Sequence, residues 1–239
     1  MTDRRSDDAT EKAEELLERF TTARHKEPAA VEWPTGIIGV LHVIRLGIER
    51  VTTLTGSIAM ALAWIVFFLG LFNVTTRYIA RFIQRDIIIG QVFDLQWMTF
   101  GALFLLGFNY AVREDVNPRI DFWWTHFSDK TKAWIDVIGH VVFFLPFLWM
   151  SLTILWPYSA QALGRKFDGT WLTWRVWEVW ERSADAGGLP RGPIKLLMLI
   201  GFILFASQII AQTIKSFMVL IDRPELGDLA EHEAPTRVE

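Results

Sequence analysis

The chain contains no cysteine in its 239 residues. Disulfides and thiolate metal sites are therefore excluded, and nothing marks a redox compartment. An excess of charge of either sign is also missing. The 24 basic and 27 acidic side chains give a formal net charge of −3 and a pI near 6.0. Such a chain offers no basic patch, and no nucleic-acid partner is expected. An early apolar segment is absent too. A signal peptide needs an apolar stretch of about 7–15 residues, and none precedes Thr35. Targeting is expected to rest with the first membrane span.

Long apolar runs are present instead. Val51 to Thr76 carries no charged residue. A helix needs about 20 such residues, at about 1.5 Å rise each, to cross the hydrocarbon core. Three further segments repeat the signal. Ile87 to Val112 is apolar apart from Asp94. Ala133 to Pro157 contains Asp136, His140 and Pro146. Leu196 to Ile214 is uncharged between Lys195 and Lys215. The composition agrees, with 51% hydrophobic residues, 12 Trp and 18 Phe, and a mean hydropathy of +0.26. The expected fold is an all-α membrane protein with four transmembrane helices and additional interfacial amphipathic helices. Its spans are expected at about 51–76, 87–112, 133–157 and 196–214.

The rest of the chain falls into distinct pieces. Residues 1–35 form a polar tail, 36–221 the membrane domain, and 222–239 a second polar tail. Between Gly36 and Arg50, Ile37, Val40, Leu41, Ile44 and Ile48 fall at helical spacing. His42, Arg45, Glu49 and Arg50 take the other side. This pattern predicts a helix in the plane of the interface; the alternative is an aqueous extension of the first span. That span has a seam of Gly56, Ala63, Gly70 and Arg77, with Ala59, Val66 and Asn73 between them. Small residues let another helix approach closely, either within this chain or from a partner. The longest loop, Leu163 to Pro193, carries Trp171, Trp174, Trp177 and Trp180 at three-residue steps. An interfacial helix is expected over 171–183, since tryptophan favours the headgroup level. Basic residues flank both ends of the spans in nearly equal number, so charge alone does not orient the chain.

Polar residues at membrane depth are the candidates for function. A carboxylate there is costly, and Asp94 is read as an ion relay or as a buried inter-helix contact. In the second reading its candidate partners are Arg77 and Arg81. Asp136 and His140, one turn apart, suit a polar pair or part of a metal site. Pro146 lacks the N–H that would bond Val142 and is expected to kink the third span. Asn73 and Arg77 close the first span, and Arg77 can anchor at the interface. Gln208 and Gln212 form a stripe of the kind that joins helices in lipid.

Three motifs along these spans resemble one family. The first is Asn-Val-x-x-Arg-Tyr, from Asn73 to Tyr78. The second is Asp-Leu-Gln-Trp-Met-Thr-Phe-Gly-Ala-Leu-Phe-Leu-Leu-Gly, from Asp94 to Gly107, followed by Arg113 to Asp121. The third runs from Trp177 to Pro190 and includes Glu178, Ser183, Asp185 and a Gly-Gly-Leu-Pro close, with Lys195 after it. Together they resemble the small membrane subunit of tripartite ATP-independent periplasmic (TRAP) transporters, over about Leu54 to Ser216. That family usually has Glu at the position of Asp94 and His-Val at Asn117 and Pro118; Arg119 and Asp121 keep the family pattern.

The resemblance implies a scaffold subunit with no catalytic residues and no cofactor. Its obligate partner would be a large membrane subunit that carries the substrate and ion sites. A periplasmic binding protein would deliver an organic, carboxylate solute. The location implied is the bacterial inner membrane, with both termini cytoplasmic. Structural or partner-contact roles are then expected for Asn73, Arg77, Asp94, Arg119, Asp121, Glu178, Ser183, Asp185, Lys195, Gln208 and Gln212. The alternatives are a haem-bearing respiratory anchor and a self-sufficient carrier. A membrane b-type haem usually takes two histidines in the bundle, and His140 alone lies within an apolar span.

Overall fold

The computed structural model describes residues 34–85, 87, 89–116, 124, 126–184, 188–223 and 226. Both polar tails, and with them Asn117, Pro118, Arg119, Asp121 and Asp185, lie outside the described residues, except for Pro34, Thr35, Asp222, Arg223 and Leu226. The chain divides into Met1–Gly36 and Ile37–Glu239. Of the first unit only Pro34 to Gly36 are described, and the membrane bundle belongs to the second.

Four helices are long and apolar enough to cross a membrane: α1 (Gly36–Ile83), α2 (Gly90–Arg113), α3 (Asp129–Ala162) and α4 (Gly192–Leu220). In lipid, a helix satisfies its own backbone groups, which makes it the natural form for such segments. The described residues contain no strand, only the isolated bridges Arg165–Trp171 and Arg182–Pro190.

α4 is the centre of the bundle. One third of its most apolar window is buried, against 6–17% in the other three helices. Val112 of α2, Leu148 of α3, and Phe205 and Ile209 of α4 form one core cluster. α2 and α4 run parallel. Asp94 meets Leu189 just before α4, Gly101 faces Ile194, Leu105 packs on Gly201, Phe108 on Phe205, and Val112 meets Gln212.

α1 is one uninterrupted helix of 48 residues, about 72 Å long at about 1.5 Å per residue. The in-plane helix expected over 36–50, leading into the first span, is continuous with that span. Packing explains the continuity. Ile38 and Leu41 lie on the cluster of Ile214, Met218 and Leu226. Arg45, 2% exposed, donates from Nη1 to the Leu226 carbonyl at 2.6 Å. Arg45, read on the polar side, therefore faces protein, while Arg50 of that side and Ile37, Val40 and Ile44 of the apolar side are exposed. Further along, the small-residue seam meets α2 inside this chain. A Cβ on Gly56 would fall 2.5 Å from the Tyr110 ring, and one on Gly107 would lie 3.4 Å from Ala59. Ala63 and Arg77 are exposed and leave this seam.

α3 begins at Ser128, whose Oγ accepts the Thr131 N–H and caps the first turn. Its turn from Gly139 to Phe144 is a π-helix, immediately before Pro146. The Leu145 N–H donates to the His140 carbonyl, five residues back. The wider turn absorbs the proline's missing donor, and the helix continues to Ala162.

The loop after α3 does not form the helix expected over 171–183. It holds a single 3₁₀ turn, Val176–Glu178, between extended pieces. Its backbone bonds across itself: the Lys166 N–H to the Thr170 carbonyl, Leu172 to Gly164, and Ser183 to Leu189. Tryptophan, valine and threonine are weak helix formers. Gly164, at φ +97°, makes the turn and sits under Val179.

Candidate functional site

The polar residues gather at the end of the bundle where α1 finishes and α2 and α4 begin. Asp94 stands in the second turn of α2 and is completely buried. Its Oδ1 accepts the indole N–H of Trp97 at 3.2 Å and the Ser183 hydroxyl at 3.2 Å. Its Oδ2 accepts the Leu189 N–H at 3.1 Å. Arg191 donates from Nη2 to the Ser183 hydroxyl at 3.3 Å, and its guanidinium lies 5.6 Å from the centre of the Trp97 ring. Among the described residues, the partners of Asp94 come from its own helix and from the loop, not from Arg77 or Arg81. A buried carboxylate needs such donors, because each unmet lone pair carries a desolvation cost.

The loop reaches Asp94 as a short antiparallel turn. The Ser183 N–H donates to the Leu189 carbonyl, and the Arg191 N–H to the Glu181 carbonyl at 2.6 Å. The Glu181 N–H donates to the Ala162 carbonyl, which fastens the turn to the end of α3. Trp180 covers Gly192, where a Cβ would come within 2.9 Å of the indole. Close contact at this junction requires glycine.

Lys195 lies one turn along α4. Its Nζ pairs with Glu181 and sits 4.1 Å from the centre of the Tyr158 ring. Its carbonyl accepts the buried Ser159 hydroxyl at 2.7 Å. Glu178 is exposed and pairs with Arg175 within the loop, away from Asp94. Toward the end of α1, Asn73 donates to the side-chain amide oxygen of Gln96 at 3.1 Å and accepts from Arg77 Nε at 3.2 Å. The exposed Asp168 carboxylate accepts the hydroxyl and the N–H of Thr170. These bonds, the hydroxyl foremost, hold its pKa below the ordinary value.

The two glutamines lie toward the opposite end of α2 from Asp94. Gln208, 1% exposed, accepts the Thr52 hydroxyl at 2.7 Å and ties α1 to α4. Gln212 donates to the Val112 carbonyl at 2.9 Å and closes the end of α2. No group of three or more potential metal-binding His, Asp or Glu side chains occurs among the described residues.

The three motifs that are far apart in the chain thus meet. Asn73 touches the Asp94–Gly107 motif through Gln96, and the Trp177–Pro190 motif closes on Asp94. A family model for the DctQ component of tripartite ATP-independent periplasmic transporters matches residues 66–218. The chain belongs to this family. No curated protein and no solved structure gives a significant match. The match takes in the last part of α1 and the whole of α2 and α3, with nearly all of α4, and so the entire Asp94 junction of this DctQ component.

Sequence reasoning missed Trp97, Glu181 and Arg191 as members of the junction. The first two lie inside the motifs, and Arg191 follows the third directly. Trp97 stands one turn from Asp94 on α2, at a spacing that helical periodicity could have flagged, whereas the ten-residue separation of Glu181 and Arg191 carries no periodic signal, because the loop is not a helix.

Proposed function

We propose that this chain is a scaffold subunit that supports a large membrane subunit in ion-coupled uptake of an organic, carboxylate solute. A periplasmic binding protein delivers the solute. The chain resides in the bacterial inner membrane, with both termini in the cytoplasm and the Asp94 junction on the periplasmic side. It has no catalytic role. Asn73, Asp94, Ser183, Lys195, Gln208 and Gln212 act as internal fastenings, and Arg77 and Glu178 remain exposed for partner contact.

One observation carries this reading: the polar groups at membrane depth join helices to one another rather than lining a path. Thr52 meets Gln208, Gln212 meets the end of α2, and Asp94 holds the loop. A self-sufficient carrier wants a broken helix or a polar line near the midplane. Meanwhile α1 and α3 present large exposed apolar side chains, among them Trp64, Phe67, Phe143 and Trp149. These faces suit lipid or the apolar flank of a larger subunit.

The test is reconstitution. The chain alone in liposomes is expected to give no solute uptake, and co-expression with a large membrane subunit of this transporter class is expected to yield a stable membrane complex. Solute flux by the single purified chain would overturn the reading. A haem absorption spectrum from the purified chain would favour the respiratory-anchor alternative.

A further inference from the structure

A cleft of about 360 Å³ opens between α2 and α4, with Tyr158 of α3 at its side. That volume lies within the range of about 300–1,000 Å³ usual for small-ligand sites. The cleft is two-ended. Trp97, Arg191, Lys195 and Tyr158 form the end at the Asp94 junction. Gly101, Phe104, Leu105 and Met198 form the other end, one to two turns deeper along the two parallel helices. From Trp97 to Leu105 the helix rises about 12 Å. Gly101 puts no side chain into the passage; a Cβ there would make only ordinary contact with Ile194, at 3.6 Å, whereas a longer side chain would fill it.

We propose that this cleft holds one phospholipid, with its phosphate at Arg191 and Lys195 and one acyl chain along Gly101, Phe104 and Met198. Three features fit this occupant together. The cations are confined to the end where the helices begin, at headgroup level, and arginine and lysine are the usual phosphate ligands. The deeper walls carry no hydrogen-bonding side chain, so a water-soluble anion gains nothing there. The cleft is also open sideways: Phe104 is 59% exposed and Tyr158 46% exposed on the flank of spanning helices. An occupant can therefore enter from the bilayer. Aromatic faces already hold both cations in place, Trp97 beneath Arg191 and Tyr158 beneath Lys195. Glu181, paired with Lys195, sets that ammonium at the rim. The site does not depend on the scaffold reading or on the orientation of the chain.

The experiment places the photoreactive residue p-benzoylphenylalanine at Phe104 in the full chain and irradiates native membranes. Intact-mass analysis is expected to show an adduct of phospholipid mass. Crosslinking to a polypeptide instead would overturn the proposal and assign the cleft to a partner subunit. A second arm uses the purified chain in detergent with added phosphatidylglycerol or phosphatidylethanolamine. Either lipid is expected to raise the unfolding temperature, whereas inorganic phosphate is not. Gly101→Leu fills the cleft and Lys195→Gln removes a cation; each is expected to weaken lipid binding about tenfold. Gly101→Ala is expected to leave it unchanged. An equal response to inorganic phosphate, or lipid binding unaltered by Gly101→Leu, would sink the proposal.

Discussion

The carboxylate of Asp94 accepts the backbone N–H of Leu189 at 3.1 Å, across 95 positions of the chain. The same carboxylate accepts the Ser183 hydroxyl, and Arg191 stands behind it. One side chain at the start of a span thus closes the turn that leads into another span. The contact gives Asp94 a part in holding α2, the loop and α4 together.

Asp94→Asn is expected to destabilise the chain by about 2 kcal/mol, in the range for a hydrogen bond to a charged group. The asparagine loses the charge and turns one acceptor into a donor, which faces an N–H in either orientation, that of Leu189 or that of Trp97. Asp94→Glu, which keeps the carboxylate, is expected to be nearly neutral. Thermal unfolding in detergent checks both. An unaltered unfolding temperature for Asp94→Asn, with uptake by the assembled transporter lost, would favour an ion relay instead.

Thr52→Val leaves Gln208 without the hydroxyl donor it has at 1% exposure. A loss of about 1–2 kcal/mol is expected for an unmet buried polar group. The double change Thr52→Val with Gln208→Leu replaces both partners by apolar groups and is expected to recover most of that loss. A double-mutant cycle on unfolding measures the coupling.

Gly164→Ala is expected to cost about 1–3 kcal/mol or to disorder the loop. Its φ of +97° disfavours any Cβ, and an added Cβ would lie 2.5 Å from Val179. Limited proteolysis within residues 165–180 provides the readout. Gly36→Ala, also at positive φ but with nothing within 4 Å, is expected to change proteolysis of that loop very little.

A single cysteine at Arg175 or Glu178 is expected to react with an impermeant thiol reagent from the periplasm. Both side chains are about half exposed, and the chain has no native cysteine to add background. Labelling only after the inner membrane is opened would reverse the proposed orientation.

Asp168 is expected to titrate below the ordinary aspartate value of 3.8. Its folded pKa is depressed, so its contribution to loop stability is present above the unfolded pKa. That contribution is lost as pH falls through the folded pKa. Thr170→Val removes the hydroxyl bond but keeps the N–H bond, and is expected to bring the pKa part of the way back. Carboxyl-carbon NMR in detergent follows the titration.

Legibility differed from element to element, for physical reasons. Each apolar run announces a span by length and freedom from charge, and each of the four expected spans overlaps a helix. At Gly36 to Arg50 the same periodicity serves an in-plane helix and a continuation of the span. Contacts between Ile38, Leu41 and the end of α4 lie more than 170 positions apart in sequence, so local pattern cannot choose. In the loop, tryptophans three apart suggest a helix, but the backbone takes its partners from across the loop. Pro146 signals a disturbed helix, whereas the form of the disturbance, a π turn over Gly139–Phe144 just before it, appears only in the backbone hydrogen bonds.

The amino-acid sequence by itself determined the class of molecule. A run of about 20 uncharged apolar residues must satisfy its backbone within itself once water is gone, and only a helix does that without a neighbour. The motifs then determined the family, through residue types in a given order. Tertiary structure alone decided what each polar residue touches. On paper the candidate partners of Asp94 within the chain were Arg77 and Arg81. The parallel register of α2 and α4, and the turn that brings Leu189 back to the start of α2, placed Ser183 there. Hydrogen bonds act over about 3 Å, and a one-dimensional pattern carries no distance on that scale between residues as far apart in the chain as Asp94 and Leu189.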